Sequence, residues 1–350
     1  MVQFVSPQNL VDLLAQTGIE QFMAALADYM TEDFCRWEEF DKAPRLASHS
    51  DVGVIELMPA SDGRLYGCKY VNGHPGNPLL GLQTVGAFGV LADVVTGYPL
   101  MLSEMTIATA LRTAVTSALA ARHLARQDSA VMALIGAGAQ SEFQTLAFAT
   151  LLGIRRLQVF DIDPDSVAKF RSNMARHGVD IDIRTCASAQ EAVLGADIIT
   201  TITADKRNAT VLSANMVGAG VHLNAVGGDC PGKTELQAEI LDRADVFVEY
   251  PPQTRIEGEI QSKPADFPVT ELWRVIAGQI QGRRSASQVT LFDSVGFGIE
   301  DFSVLRLIHD RIRNTPFFTE IDLIVAPSDP RNLFGMLTPP QDAARPGAAR

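Results

Sequence analysis

An apolar run, Val131-Met-Ala-Leu-Ile135, leads into Gly136-Ala-Gly138-Ala-Gln140-Ser141. Gly136 permits a tight turn and Gly138 lets the backbone approach a pyrophosphate. The N–H groups and dipole of a helix beginning near Gln140 favour the charge of that group. Ser141 stands where the G-x-G-x-x-G pattern expects glycine or alanine, so a glycine turn without a ligand is the alternative reading. A second apolar run, Leu157-Gln-Val-Phe160, ends in Asp161, 25 residues after Gly136. That is close to the spacing of the acid that binds adenine-ribose hydroxyls, and a carboxylate there repels the extra phosphate of NADP and so favours NAD. The alternative for Asp161 is a capping role for the helix that follows Asp163-Pro164.

Two further segments carry polar groups at places where strands should end. Thr200-Thr-Ile-Thr203 is small and hydroxylic at the carboxyl end of an expected parallel strand, which makes Thr203 a neighbour of the cofactor. His222-Leu-Asn-Ala-Val-Gly-Gly228-Asp229-Cys-Pro-Gly-Lys233 places an acid on constrained backbone at another such end, beside the expected nicotinamide position. Asp229 also reads as a helix N-cap, because Pro231 and Glu235 suit a helix start. Earlier in the chain, Glu56 lies inside Val54-Ile-Glu-Leu-Met58, where an unpaired buried carboxylate is costly. Lys69 sits mid-strand with Cys68 facing the opposite side. For Arg45 and Lys69 the plain alternative is a solvated surface cation, and for Arg112, in an alanine-rich helix, an exposed helix former.

The elements that must hold these residues fall into two kinds. Helices are expected over Pro7–Gln16, Ile19–Arg36 and Thr106–Arg126. Between them, Val52–Pro59 with Arg64–Val71, and Gly86–Ala92 with Pro99–Leu102, read as two β-hairpins around Ser61-Asp62-Gly63 and Thr96-Gly97-Tyr98. After Gln127 the rhythm becomes strand, helix, strand, as in βαβ units on a parallel sheet. The expected strands are Val131–Gly136, Leu157–Asp161, Ile181–Cys186, Asp197–Thr203, His222–Gly227, Asp245–Val248 and Val289–Asp293. A helix over Ile299–Arg313 and a short run over Ile321–Val325 return to the first half. The fold class is therefore α/β: a Rossmann dinucleotide-binding domain over 128–313, and a discontinuous α+β domain over 1–127 that 314–338 rejoins. The Pro- and Ala-rich tail 339–350 is expected to be disordered.

At 350 residues the chain exceeds the size at which one core keeps growing, in keeping with two domains. An apolar fraction of 47% with 20% charged residues excludes a disordered or fibrous chain. The net charge of −12 argues against nucleic acid or an anionic membrane as partner and leaves a small molecule. The opening Met1-Val-Gln-Phe-Val-Ser-Pro7 lacks a secretory pattern and no uncharged run reaches membrane-span length, so a cytoplasmic location is expected. Cys35, Cys68, Cys186 and Cys230 are widely spaced, which signals neither a disulfide framework nor a structural zinc site.

Seven segments in order resemble the ornithine cyclodeaminase and mu-crystallin family: Arg45-Leu-Ala-Ser-His-Ser, Gly53–Pro59, Lys69-Tyr-Val-Asn-Gly-His-Pro, Thr109-Ala-Leu-Arg112-Thr-Ala, Gly136-Ala-Gly-Ala-Gln140, His222–Lys233 and Phe292-Asp-Ser-Val-Gly296. The resemblance covers nearly the whole chain except the tail. It implies a homodimer in which the substrate domain pairs its strands across the interface. The implied reaction takes L-ornithine to L-proline and ammonia through transient NAD-dependent oxidation at the α-carbon, ring closure and re-reduction. Asp229 is implied as the acid/base group, Arg45 and Lys69 as ligands of the substrate carboxylate, Glu56 as partner of the distal amine and Val295 as pocket lining. For NAD it implies Thr84, Arg112, Ala139, Gln140, Asp161, Thr203, the turn Ala225-Val226-Gly227-Gly228, Lys233 and Ser294 beside Gly136 and Gly138. Ser141 does not count against this family, whose loop is typically Gly-x-Gly-x-Gln. Two alternatives stay open: an amino-acid dehydrogenase or cyclic-ketimine reductase of the same family, and a non-catalytic nucleotide-binding protein of the crystallin type.

Overall fold

A computed structural model describes residues 1–204, 210–228 and 230–337. Asp229 and the tail 339–350 lie outside the described residues. Ser6 caps the first helix reciprocally with Asn9, so that α1 (Pro7–Thr17) starts directly after β1 (Val2–Val5). The chain then forms α2 (Ile19–Cys35), β2 (Asp41–Lys42), β3 (Leu46–His49), β4 (Val54–Ser61), β5 (Leu65–Gly73), β6 (Val85–Asp93), β7 (Pro99–Glu104) and α3 (Thr106–Leu124). Strands β4 to β7 pair antiparallel in sequence order, β2 and β3 pair with β4, and β1 lies parallel to β7. The two-residue period of a strand separates the faces. Glu56 and Met58 on β4 and Lys69 and Val71 on β5 are buried, whereas Ile55, Leu57 and Tyr66 are exposed. Cys68 is indeed on the other face from Lys69.

The second half follows as β8 (Val131–Ile135), α4 (Ser141–Leu152), β9 (Arg156–Phe160), α5 (Pro164–His177), β10 (Asp182–Thr185), α6 (Ala189–Val193), β11 (Ile198–Thr201) and β12 (His222–Ala225). It continues as α7 (Glu239–Arg243), β13 (Asp245–Val248), α8 (Pro251–Glu257), β14 (Thr270–Glu271), α9 (Leu272–Ile276) and β15 (Thr290–Asp293). Strands β8 to β15 form a parallel sheet in the order β10-β9-β8-β11-β12-β15-β13-β14. The direction of winding reverses between β8 and β11, the place where open α/β sheets of the Rossmann type bind ligands.

The last elements, α10 (Gly298–Ile312) and β16 (Thr319–Ile321), leave this sheet. Strand β16 pairs antiparallel with β1. Helix α10, which a division at residue 313 leaves with the nucleotide-binding half, packs on α2, β4 and β5, with Phe302 against Gly67 and Leu305 against Gly89. The two halves meet in an aromatic cluster. Trp37, in the tight turn Trp37–Glu39 after α2, stacks on Trp273 of α9 with centroids 6.0 Å apart and planes 9° apart. Phe34 stacks on Trp37 as well, and Tyr250 and Phe297 tilt against it.

Boundaries read from the sequence for the two hairpins, the long helices and the parallel strands fall within two residues of those observed. Strands β1, β2, β3 and β14 were not anticipated, and the final run expected over Ile321–Val325 forms its strand earlier, at Thr319–Ile321. Among the described residues no helix is long and apolar enough to cross a membrane.

Candidate active site

At the switch point, Gly136 has φ +110° and a Cβ there would come within 2.9 Å of the Ile202 carbonyl, so the turn requires glycine. Gly138 and Ala139 are exposed, and nothing lies within 4 Å of where a Gly138 side chain would start. Asp161, just past β9, accepts from Ala137 N at 2.6 Å and from Asp163 N at 2.9 Å. The cap of α5 is Asp163, whose carboxylate accepts from Asp165 N and Ser166 N. Asp161 is thus tied to the glycine turn instead of the helix. The Gln140 amide oxygen is buried with no hydrogen-bond partner among the described residues. An open glycine turn, a helix start beneath it and a carboxylate at the end of the next strand fit the pyrophosphate and ribose of a dinucleotide.

The next strand ends are held by acids that the sequence reading missed. Asp293, at the end of β15, accepts from Glu259 N and Ile260 N, both at 2.9 Å. Glu259 accepts from Glu235 N at 2.7 Å and Leu236 N at 3.1 Å. Glu235 accepts from Thr203 N at 2.8 Å and from the Thr203 hydroxyl. Each carboxylate grips the peptide that carries the next, from β15 across to β11. The Lys233 ammonium closes this end by donating to the Thr203 carbonyl at 3.1 Å. Gln261 binds the same segment, accepting from Gly232 N at 2.6 Å and donating to the Lys233 carbonyl at 3.0 Å. Gly227 and Gly228 fit only because they lack side chains: a Cβ at Gly227 would collide with the Glu235 carboxylate, and one at Gly228 would lie 2.8 Å from Glu259. Val226 N donates to the Thr201 carbonyl at 3.0 Å, which carries Ala225 and the turn beyond the sheet edge. No helix begins at Pro231–Glu235; the next one starts at Glu239. Burial pushes Glu259 up to about 8 and Asp293 up to about 7, with the charges of Asp293 and Glu235 adding to the effect at Glu259 and that of Glu249 adding to it at Asp293.

The expected substrate residues converge on the loop after β15. The Arg45 guanidinium donates to both oxygens of Glu56 at 3.1 and 3.0 Å, to the Gly296 carbonyl at 2.8 Å and to the Val295 carbonyl, and its Nε forms an ion pair with Glu257 at 3.1 Å. The alternative of a solvated cation therefore fails for Arg45, whose side chain is 6% exposed. It also fails for Lys69, which is fully buried with its ammonium 2.8 Å from Asp301. Burial lowers Lys69 to about 8, with the Arg112 charge acting in the same direction. Arg112 is buried too, 2.8 Å from Glu300 and 3.0 Å from Asp301, and a side chain at Gly296 would collide with it. Ser294 is buried and donates to Glu249 at 2.8 Å; Glu249 also accepts from Gly296 N at 3.1 Å.

Thr84 stands apart. Its carbonyl accepts from His74 N at 2.8 Å in the loop that leads into β6. His222 is a structural residue, hydrogen-bonded to Thr290 and Asn224, and burial pushes it down to about 3, so its ring is neutral. Glu249, Glu257, Glu259, Asp293, Glu300 and Asp301 are residues that sequence reasoning did not single out, and Glu235 entered it as a helix-start signal alone. The available signal was an acid inside an apolar run, as in Phe297-Gly-Ile-Glu-Asp-Phe-Ser-Val-Leu305.

A Rossmann-type sheet joined at its ligand edge to a buried cluster of paired cations and acids defines a dinucleotide-binding class of protein. The chain belongs to the ornithine cyclodeaminase/mu-crystallin family, whose model matches residues 7–316. It is 63% identical over 337 residues to an ornithine cyclodeaminase of Agrobacterium fabrum, covering 96% of this chain and 95% of that one. Among solved structures, an archaeal alanine dehydrogenase dimer with bound NAD superposes with TM-score 0.84 at 30% identity, over 92% of this chain and 99% of that one. A lysine cyclodeaminase whose structure concerns recognition of L-lysine, L-ornithine and L-2,4-diaminobutyric acid gives 0.83 at 30% identity, over 92% and 96%.

Proposed function

We propose that this protein is an enzyme that converts L-ornithine to L-proline and ammonia with NAD as a recycled cofactor. The observation that carries the reading is the buried Arg45–Glu56 pair, 3.0 Å apart, with Arg45 also on the Val295 carbonyl. A cation for an α-carboxylate and an anion for a distal ammonium match the two charged ends of a diamino acid. The identity to an ornithine cyclodeaminase supports the same reading.

In this reading Arg45 and Lys69 hold the carboxylate, Glu56 holds the distal nitrogen and Val295 lines the substrate site. Asp229 holds or removes the proton of the α-amine, a role assigned from the sequence. Gly136, Gly138, Ala139, Gln140 and Asp161 hold the adenosine and pyrophosphate half of NAD. Thr84, Arg112, Thr203, Ala225, Val226, Gly227, Gly228, Lys233 and Ser294 surround the rest. When bound, NAD supplies the redox chemistry, accepting hydride from the α-carbon and returning it to the ring carbon. Arg45 and Glu56 fix the two ends of the substrate, so that its own distal nitrogen attacks the oxidised α-carbon; well-oriented intramolecular reactions of this kind reach effective molarities of about 10⁵ M or more. Ammonia leaves as the ring closes.

The first sheet with its returning segment serves in this reading as the substrate and dimerisation domain, and the parallel sheet as the NAD domain. A homodimer is supported by the exposed apolar residues Ile55, Leu57 and Phe88 on the first sheet. The expected location is the cytoplasm. Purified protein given ornithine and a catalytic amount of NAD should release proline and ammonia in equal amounts with flat absorbance at the NADH band. Reduced cofactor rising mole for mole with product would replace this reading with that of a dehydrogenase.

A further inference from the structure

Helix α10 opens with two acids in its first turn, Glu300 and Asp301, and both are fully buried. The helix dipole favours acids there, but a buried carboxylate still needs partners of opposite charge. Those partners come from two other elements. Asp301 Oδ1 is 2.8 Å from the Lys69 ammonium on β5 and 3.0 Å from Arg112 Nε on α3, so one oxygen serves two cations. Glu300 takes the NH1 edge of the same guanidinium at 2.8 Å.

Lys69 and Arg112 are like charges that repel each other in a dry site, and the arrangement exists only with an anion between them. Asp301 is that anion. Among the described residues the charged groups facing Lys69 are Arg112 on α3, Asp301 and Glu300 on α10, and Arg45 in the segment between β2 and β3. Two of these are cations that disfavour the ammonium, and among the described residues Asp301 is the carboxylate in contact with it. We propose that Asp301 is a positioning residue of the substrate-carboxylate clamp, holding Lys69 and Arg112 side by side and keeping the Lys69 ammonium protonated at neutral pH.

The inference rests on the reading of Lys69 as a substrate ligand, and the test separates the two. Wild-type protein that makes no proline from ornithine would end the functional reading without involving residue 301. Given activity, kcat and KM for ornithine are measured from pH 6 to 10 for wild type, Asp301→Asn and Asp301→Glu, with NAD affinity as a check of folding. In wild type, kcat/KM should fall on the alkaline side near the Lys69 value of about 8. In Asp301→Asn that limb should move toward acid by about one pH unit or more, with KM at pH 7.5 raised about tenfold and kcat changed less than about threefold. Asp301→Glu keeps the charge and should leave the limb where it is. A limb that stays put in Asp301→Asn, or kcat and KM that change together without a shift, overturns the proposal. Asp301→Ser serves as a second neutral variant. If both neutral variants fail to fold while Asp301→Glu folds, the residue belongs to folding and the proposal also falls.

Discussion

Replacing Glu56 by glutamine removes one negative charge and preserves the shape of the side chain. In the folded protein both Glu56 oxygens lie on Arg45 NH1 at 3.0 and 3.1 Å, and the side chain is 7% exposed. Arg45 does not become an unpaired buried charge in the variant, because Glu257 holds its Nε edge at 3.1 Å and the Gly296 carbonyl accepts from NH2 at 2.8 Å. The loss should therefore fall mainly on the substrate, whose distal ammonium trades a charge-assisted hydrogen bond for a neutral one. Such a bond contributes about 1.5–3 kcal/mol, which corresponds to about 10- to 150-fold in kcat/KM for ornithine. The assay is proline formation over a range of ornithine concentrations, with a thermal melt to show that the fold persists. A kcat/KM within about threefold of wild type in a folded Glu56→Gln protein would refute the assignment of Glu56 to the distal nitrogen.

Gly136→Ala forces a side chain into a conformation at φ +110° and against the Ile202 carbonyl, which should weaken NAD binding by about 5- to 150-fold, the equivalent of about 1–3 kcal/mol of strain; calorimetric titration reads it, and an unchanged dissociation constant would count against the turn as the pyrophosphate site. Gln261→Ala frees Gly232 and Lys233 from their clamp and should lower kcat for ornithine by about 10- to 100-fold while the melting temperature moves little; a wild-type kcat would show that the clamp is dispensable. Asp293, Glu259 and Glu300 titrate at about 7, 8 and 8 when folded, above their unfolded values, so the native state binds more protons than the unfolded one through this range. Stability supplied by these groups is fully present below their unfolded values of 3.8 to 4.5 and is lost as pH rises from there through about 7 to 8, so denaturant midpoints should fall between about pH 5 and 8; midpoints that rise across that window would contradict the burial of these acids.

The parallel half was legible because each βα unit carries its own local signals: an apolar run, a turn and a capped helix, as in Leu157-Gln-Val-Phe160 followed by Asp163-Pro164. Strands β2 and β14 have two residues each and exist only because a neighbour in space supplies their hydrogen bonds. Strand β1 pairs with β7 and β16 across most of the chain, so no local pattern announces it. The site divides in the same way. Gly136, Asp161, Glu56 and Lys69 stand out because their types conflict with their immediate surroundings or match a spacing. Glu249, Glu257 and Glu259 read as ordinary surface acids, and their roles appear only when β15 and the turn at 259–262 are brought against the loops after β11 and β12. For Asp161 the structure removes the capping reading, since Asp163 does the capping.

The chain contains two tryptophans, and they are the ones stacked 6.0 Å apart where the first sheet's helices meet α9. All indole fluorescence of the molecule thus originates at the joint between its two lobes. A ligand that displaced one lobe against the other would change the overlap of these two rings, and hence their emission and near-ultraviolet dichroism, so the pair is a label-free reporter on that joint.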